Sequence, residues 1–538
     1  MSVPNAGTNI ETRLSHRQVL VVMSALMLGM LLAALDQTVV STALPTIVGD
    51  LGGLNHLSWV VTSYLLASTI TIPLYGKLGD QYGRKPLYLF AICIFLVGSM
   101  LSGLSQNMAE LIAFRALQGI GAGGLMVGAQ AIIGDVVSPR ERGRYQGYMG
   151  GVFAIASVAG PLLGGFLTQS ASWRWIFYIN VPIGAVALVV TATVLHLPKR
   201  HVNHRIDWPG AALLALSAST LILLTTWAGT QYAWLSAPII ALAVTCAVAL
   251  AVFVFVERGV PEPIIPPRLF RIPTFDITSA VGFVIGLAMF GAIVFLPLFF
   301  QLVDGATPTG SGLQLIPLMV GLLGASVISG QIISKIGRYK VFPVMGTALA
   351  TIGLVLLSTL DPHTPRLLLS VYMVVLGAGL GMVMQILVLV VQNAVDHSDL
   401  GVATSSATFL RSIGSSLGVA IFGAIFSGQL ANNLRSLLPA AALKGGINPT
   451  SLQGNPAALD KLPPAIHAGL IQAVSDSLHV VFLAAVPFLI IAFVLTLFIP
   501  EIPLRSHAGS AVAEGMGLDD STDLLEEGGM TAPSVSNA

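Results

Sequence analysis

The chain has 538 residues, of which 55% are apolar and only 9% charged, with a mean hydropathy of +0.85. A soluble surface needs about 25% charged residues, and 25 basic against 24 acidic side chains leave a net charge of +1, with no field for nucleic acid. A soluble enzyme, a nucleic-acid-binding protein and a disordered scaffold are therefore excluded, which leaves a polytopic membrane protein.

Apolar blocks of about 20 residues, the length that crosses a hydrocarbon core, recur along the chain. Residues 1–18 are polar and read as a cytoplasmic N-terminal segment. The block that follows is too long for a signal-peptide core, so it is expected to be retained as a first helix over 19–43. Further spans are predicted over 57–76, 86–105, 108–135, 145–169, 175–197, 208–228 and 237–256. Six more follow at 274–302, 310–334, 341–360, 366–391, 401–429 and 478–500, which makes fourteen. Between the last two, 430–477 is expected as a long external loop with a short helix around 464–474. The tail 501–538 carries six acids after His507 and no Lys or Arg there, and it reads as disordered and solvated.

With both termini cytoplasmic, 18 of the 25 Lys and Arg residues fall in cytoplasmic segments. Five (Arg174, Arg366, Arg435, Lys444 and Lys461) fall on the other side, and Arg115 and Arg411 lie within spans. An excess of this size fits the positive-inside rule, and a miscount by one helix would scramble it. The expected location is the cell (inner) membrane. Cys93 and Cys246 are the two cysteines, so neither a disulfide framework nor a Cys-rich metal site is expected.

An internal repeat divides the chain. The loop after helix 2 reads Gly76-Lys-Leu-Gly-Asp80-Gln-Tyr-Gly83-Arg84-Lys85-Pro86, and the loop after helix 10 reads Gly330-Gln-Ile-Ile-Ser334-Lys-Ile-Gly337-Arg338-Tyr-Lys340. Weak symmetry between halves is a mark of many transporter folds, with the site between the halves. The expected domains are an N-terminal six-helix bundle over 19–198, linking helices 7 and 8 within 199–272, and a C-terminal six-helix bundle over 273–500. Asp80 and Arg84 stand four apart, where they can pair in a cytoplasmic latch with Gly76, Gly83 and Lys85. The basic residues set topology in any case; Asp80 is the discriminating one, because an acid adds nothing to that bias.

Asp36 is the one acid deep in a span. A charge there is costly, faces a cavity or a partner, and marks a functional site. Asp36 of helix 1 and Arg115 of helix 4 each lie about seven residues from the external end, roughly 10 Å deep at 1.5 Å per residue. They can meet, either as a static packing pair or as a carboxylate that carries a proton and an arginine that tunes it. Arg411 in helix 13 has no deep acid in its half, and helix carbonyls, lipid phosphate and Asp396 remain open as its partners. In helix 5, Ala156, Gly160 and Gly164 form a small-residue seam, and Pro161 permits a kink. Gly119, Gly121, Gly123 and Gly124 make a similar series in helix 4. Packing alone is the plainer reading of both.

These motifs resemble the fourteen-helix drug:proton antiporter branch of the major facilitator superfamily. The loop Gly76 to Pro86 is similar to that superfamily's signature after helix 2. Leu35-Asp-Gln-Thr-Val-Val-Ser-Thr-Ala-Leu-Pro45 resembles the branch's helix-1 motif, and Arg115-Ala-Leu-Gln118-Gly119-Ile-Gly121 the helix-4 motif. Gly160-Pro161-Leu-Leu-Gly164-Gly165 resembles the end of the antiporter helix-5 motif. Trp173 to Gly184 and Asp207-Trp-Pro-Gly210 resemble features of the fourteen-helix branch.

The resemblance implies two six-helix bundles that rock around a central cavity and export drugs in exchange for protons. It implies proton coupling at Asp36 and Arg115, a latch at Asp80 and Arg84 against the start of helix 13 near Gly401, and exchange favoured by the helix-5 glycines. Gln37, Trp59, Tyr64, Gln118, Phe290 and Phe295 are candidate cavity residues, with ordinary helix packing as the alternative for each aromatic. No cofactor is implied, the proton gradient being the energy source. The expected partners are hydrophobic or cationic small molecules (antibiotics and dyes among them), protons and membrane lipid, with no nucleic acid, and the chain is expected to act as a monomer. The chain departs from some multidrug relatives in that helices 10 to 13 hold no deep Asp or Glu, which argues against doubly charged cations. The competing transporter reading is a dedicated exporter of an endogenous lipid or metabolite. A polytopic membrane enzyme would need a His, Asp or Glu cluster at one face; no HExxH or paired-carboxylate cluster is present.

Overall fold

The computed structural model describes residues 16–51, 56–195, 207–229, 231–437 and 463–504. Most of the expected N-terminal segment, the middle of the external loop and the acidic tail from 505 onward lie outside the described residues.

The described residues are helical. The first seven helices are α1 (His16–Leu51), α2 (Leu57–Tyr82), α3 (Arg84–Leu104), α4 (Met108–Val136), α5 (Pro139–Ser170), α6 (Trp175–Tyr178) and α7 (Asn180–Val194). A pair follows, α8 (Trp208–Trp227) and α9 (Ala237–Glu257). The remaining seven are α10 (Pro273–Leu302), α11 (Pro308–Gln314), α12 (Ile316–Ile336), α13 (Val341–Leu357), α14 (Arg366–Ala394), α15 (Leu400–Leu437) and α16 (Pro464–Leu497). Among the described residues the sole β feature is an isolated bridge between Ala228 and Tyr232.

Each of the fourteen expected segments contains helix, but the pieces do not map one to one. The segment 175–197 is broken at Ile179, and the segment 310–334 at Leu315. Pro182 and Pro317 explain both breaks: each lacks an N–H, and its ring crowds the carbonyl four residues earlier. The opposite happens at the end of the chain. The expected short helix at 464–474 and the last span form the single helix α16, because no Gly or Pro separates them. Among the described residues eleven helices are long and apolar enough to cross a membrane, fewer than fourteen; α10 and α13 supply the shorter apolar stretches Pro273–Met289 and Val341–Leu357.

Helices α1 to α7 pack mainly on one another, and α10 to α16 do the same with an equivalent pairing. α1 lies on α5 and α7 as α10 lies on α15 and α16. Likewise α4 lies on α2 and α3 as α14 lies on α12 and α13. The two groups meet through α5 on α12 and α2 on α15. The pair α8–α9 stacks on itself and touches both groups, with Ala211, Leu214 and Ala218 of α8 clustered with Ile72 of α2 and Phe409 of α15. Asp207 caps α8 by accepting from the Gly210 N–H at 2.9 Å, and Gln81 of α2 donates to Glu262 at 2.8 Å beyond α9.

Candidate functional site

Two sites emerge, one inside the first helical group and one between the groups. Inside, α1 carries Asp36, α4 carries Arg115 and Gln118, and α7 carries Asn180, all four side chains buried. Arg115 and Gln118 stand three apart, so one face of α4 presents both to α1. Gly98 of α3 leaves the room: a Cβ there would sit 2.5 Å from the Gln118 backbone nitrogen.

The polar contacts close on the carboxylate. Arg115 Nη1 ion-pairs with Asp36 Oδ2 and donates to Gln118 Oε1 at 2.8 Å. Gln118 Nε2 donates to Asp36 Oδ1 at 2.8 Å, and Asn180 Nδ2 donates to the same oxygen at 3.3 Å and to Ser99 at 3.0 Å. Arg115 Nε donates to the Val60 carbonyl at 3.3 Å, and the guanidinium lies 4.2 Å from the centre of the Tyr64 ring. The Tyr64 hydroxyl donates to the Ala33 carbonyl one turn from Asp36. Such a pair holds because its charges are compensated on every side; removing one partner leaves the other uncompensated.

Helix α5 flanks this web. Thr38, two residues from Asp36, donates to the Ala156 carbonyl at 2.9 Å. Gly160 and Gly164 lie on the same face, where any side chain would collide with Thr38, Thr42 and Val39 of α1. Pro161 and Gly165 turn the other way, towards Gly312 and Thr309 of the second group. The seam predicted in helix 5 therefore packs on α1 beside the acid, while its neighbours touch the opposite half.

The second site is at the end of the molecule that carries most of the basic loops. Asp80, in the last turn of α2, accepts from the backbone N–H groups of Gly401 at 3.1 Å and Val402 at 2.8 Å. These are unsatisfied donors in the first turn of α15, where the helix dipole also favours an anion. Arg84 ion-pairs with Asp80 at 2.8 Å and with Asp135 at 2.9 Å, and donates to the Ala131 carbonyl. Gly83 adopts φ +94°, a left-handed turn that favours glycine and swings Arg84 back over Asp80. At Gly76 a Cβ would strike Ser405 and stand 2.7 Å from the Gly401 carbonyl, so this glycine lets α15 approach. Lys85 is separate, donating to the Ala192 carbonyl near the end of α7 at 2.8 Å.

The repeat shows what the second half does instead. Ser334 supplies no acid; Arg140, at the start of α5, donates to the carbonyls of Ser334 at 3.1 Å and Lys335 at 2.9 Å in the last turn of α12. One crossing puts an anion on a helix N-terminus and the other a cation on a helix C-terminus, each the favourable sign.

The cavity candidates disperse. Tyr64 and Gln118 belong to the charge web. Phe295 is buried against Phe426 in the second group, with ring centres 5.4 Å apart, and Trp59 meets Trp227 of α8 at 5.6 Å. Gln37 is half-buried on α1, and the Phe290 side chain lies outside the described part of the structure. Sequence reasoning passed over Asn180 and Ser99 as site residues; the signal for Asn180 was a polar side chain in an apolar span. It also missed Asp135, the second acid on Arg84.

The profile of the Major Facilitator Superfamily matches residues 26–419. The chain belongs to the Major Facilitator Superfamily. It is 45% identical over 511 residues to an uncharacterized MFS-type transporter of Mycobacterium tuberculosis, which covers 94% of this chain and 74% of that protein. It is 37% identical over 519 residues to the multidrug transporter protein MdtP of Bacillus subtilis, covering 92% and 95%. The structure of the proton:xylose symporter XylE superposes with a TM-score of 0.59 at 15% identity, covering 91% of this chain and 97% of that one, which shows the superfamily fold. The molecule is thus an all-helical, multi-pass superfamily transporter.

Proposed function

We propose that this transporter is a proton-coupled antiporter with fourteen spans, exporting amphipathic compounds from the cytoplasm by alternating access of two six-helix bundles. The observation that carries the reading is the wiring of Asp36. It is the acid deepest in a span among the described residues, and all its side-chain partners sit on other helices, Arg115 and Gln118 on α4 and Asn180 on α7. A proton on that carboxylate cancels the charge that three donors are arranged to meet. It therefore changes how α1 is held against α4 and α7, whereas Arg115 stays charged throughout. The glycines of α5, packed beside Thr38, carry any displacement of α1 to the helix that faces the other bundle.

The latch supplies the second state. With the basic loops cytoplasmic, as the distribution of Lys and Arg favours, the Asp80 and Arg140 contacts join the bundles on the cytoplasmic side. This conformation is then closed to the cytoplasm, and breaking both crossings opens it. The 37% identity to a named multidrug transporter supports a broad range of compounds.

The test is substrate-evoked proton movement in everted membrane vesicles, read with a pH-sensitive dye over a panel of hydrophobic, cationic and anionic amphiphiles. Wild type releases protons from the lumen when a transported compound is added, Asp36→Glu retains part of the response, and Asp36→Asn abolishes it. Undiminished proton release by Asp36→Asn at normal expression would sink Asp36 as the coupling acid.

A further inference from the structure

Deep in the second group stands a cation that the transport scheme above does not use. Arg411 is the twelfth residue of α15, roughly 16 Å along the helix from Leu400. Among the described residues its guanidinium makes no hydrogen bond, ion pair or ring contact; only its backbone carbonyl is engaged from a side chain, accepting from the Ser415 hydroxyl at 3.0 Å. Asp396, the acid that sequence left open as its partner, lies below the start of α15, well beyond reach. Asp276 is exposed in the first turn of α10, about 9 Å along that helix from Gly282, the residue level with Arg411. The deep charges therefore do not balance: Asp36 and Arg115 cancel, and Arg411 is left over.

The register of α15 shows which way this charge faces. Phe409 and Ile413, on one side, cluster with Ile72 of α2 and the linking helix α8. Arg411 is about 200° round the helix from each. Its own side is shared with Thr404 and Thr408, which hydrogen-bond Gln392 of α14 and Gln130 of α4 at 3.2 and 3.4 Å, and with Gly414 and Gly418, pressed on the backbone of α10. Arg411 thus stands between α10 and the middle of the molecule, one turn beyond the glutamine–threonine contacts that join the two groups. The packing against α10 loosens at this level: at Gly286 a methyl would strike the Arg411 carbonyl, whereas one on Gly282 would meet only the Cβ of Arg411 and Leu387 Cδ1, each at an ordinary 3.9 Å. The side chain keeps part of its surface exposed, and the next turn on the same side carries Ser415, whose hydroxyl donates to the Arg411 carbonyl at 3.0 Å.

An arginine at this depth without a counter-ion is costly, and in membrane proteins such residues face a bundle interior or a water-filled cavity and mark ligand pathways. We infer that Arg411 is an anion subsite between the two halves: it holds the carboxylate, sulfonate or phosphate of an amphipathic ligand whose apolar body lies along α10 and α14. A planar guanidinium offers two parallel donors to such a group. The inference rests on the proposed transport function for its cavity, and it narrows the substrate class from cationic or neutral amphiphiles to those bearing an anionic group.

Equilibrium binding tests it without a proton gradient. The purified full chain in phosphatidylcholine nanodiscs is titrated with 1-pyrenebutyrate and with its neutral amide, binding being read by energy transfer from tryptophan above the empty-nanodisc background. Wild type is expected to bind the carboxylate about tenfold more tightly than the amide, the size of one charge-assisted contact. Arg411→Gln brings that ratio to about one while leaving the amide affinity unchanged, Arg411→Lys retains part of it, and Asp36→Asn leaves it intact. A ratio near one in wild type, or one unaltered in folded Arg411→Gln, overturns the subsite. If Arg411→Gln fails to fold, a loss of the ratio when the ligand carboxylate is protonated at low pH, kept by Arg411→Lys, carries the same information. A second arm uses short-chain phosphatidylglycerol as competitor. Arg411-dependent binding by that lipid, with no preference for the soluble carboxylate, overturns the substrate assignment in favour of a lipid headgroup. An Arg411-dependent ratio in a chain that moves no protons leaves the subsite standing and sinks the antiport reading.

Discussion

In the first helical group, α1, α4 and α7 close around charge: Asp36, Arg115, Gln118 and Asn180 are buried and bonded to one another. In the second, α10, α14 and α16 take the equivalent places in the packing and close around hydrocarbon, with Ile285, Leu296, Leu380, Leu387, Phe482 and Leu489 buried in one cluster. Its deep charge, the Arg411 guanidinium, lies on α15 without a partner among the described residues. Shared pairing with unlike interiors separates what the fold requires from what the function requires. Close helix approach at glycines is common to both groups: Gly121 meets the backbone of α3, and Gly353 that of α14. A buried ion pair is not needed for that packing, since the second group packs without one. Its presence in the first group is then a cost carried for some other reason.

The strongest way to break this contrast is to exchange the interiors one residue at a time. Arg115→Met leaves the Asp36 carboxylate buried without its counter-charge and is expected to destabilise the chain by about 3–5 kcal/mol. Phe422→Ala, at a fully buried position of the second group, is expected to cost a similar 3–5 kcal/mol or so through its cavity. The two differ in function: substrate-evoked proton movement is lost in Arg115→Met and kept in Phe422→Ala at matched expression. The double variant Asp36→Asn with Arg115→Met regains most of the stability, measured by thermal unfolding in detergent, without regaining proton movement. If Phe422→Ala loses proton movement as completely, the division between the interiors fails.

Much of this contrast is legible in the residues themselves. An acid and an arginine at matching depths in helices 1 and 4 can meet, and a charge at that depth is costly enough to single both out. The Asp80 contact is legible for a different reason: Asp80 is an acid in a loop whose basic residues serve topology, so it stands out. Other features leave no trace in one dimension. Neither Asn180 nor Ser99 carries a charge, and their role depends on α7 passing within reach of α1, a distance no spacing encodes. Phe295 and Trp59 were candidates through their spans, but an aromatic ring is equally at home in a cavity and in a core; Phe426 and Trp227 supply cores for them. The broken helices at Ile179 and Leu315 were written in Pro182 and Pro317, yet continuous hydropathy across each break masks it.

The contacts between the groups sharpen the comparison at a smaller energy. Asp80→Ala removes the acceptor of two N–H groups at the start of α15 and is expected to cost about 1–2 kcal/mol, as lost helix caps do. Asp80→Asn keeps one acceptor and costs less. Because the contact joins α2 to α15, its loss is expected to shift the population towards separation of these two helices. A cysteine placed at Ser405, which lies against Gly76, then reacts several-fold faster with a thiol reagent in Asp80→Ala than in its absence. Equal reactivity would show that Arg140 and the α5–α12 crossing hold the bundles together unaided.

The smallest expected effect lies at the far end of the first group, and it is set by pH. Asp50, beyond the span of α1, accepts from the Trp173 indole at 2.8 Å and from Arg174 at 3.1 Å. Those two hydrogen bonds hold its carboxyl below the usual value of 3.8 against the opposing desolvation, with the arginine's charge a lesser help. A carboxylate whose pKa is lower folded than unfolded stabilises the fold fully above its unfolded value and loses that contribution as pH falls through its folded one. The melting temperature of wild type should therefore exceed that of Asp50→Asn by a constant margin from pH 5 to 7, and the margin should shrink below about pH 4. Asp50 is exposed and Arg174 partly so, so added salt should narrow the margin as well. The charge web around Asp36 is buried away from such screening, and salt should leave its contribution unchanged. A margin insensitive to both pH and salt would mean that Asp50 acts through its shape at the mouth of the bundle, and that charge serves the first group only in its interior.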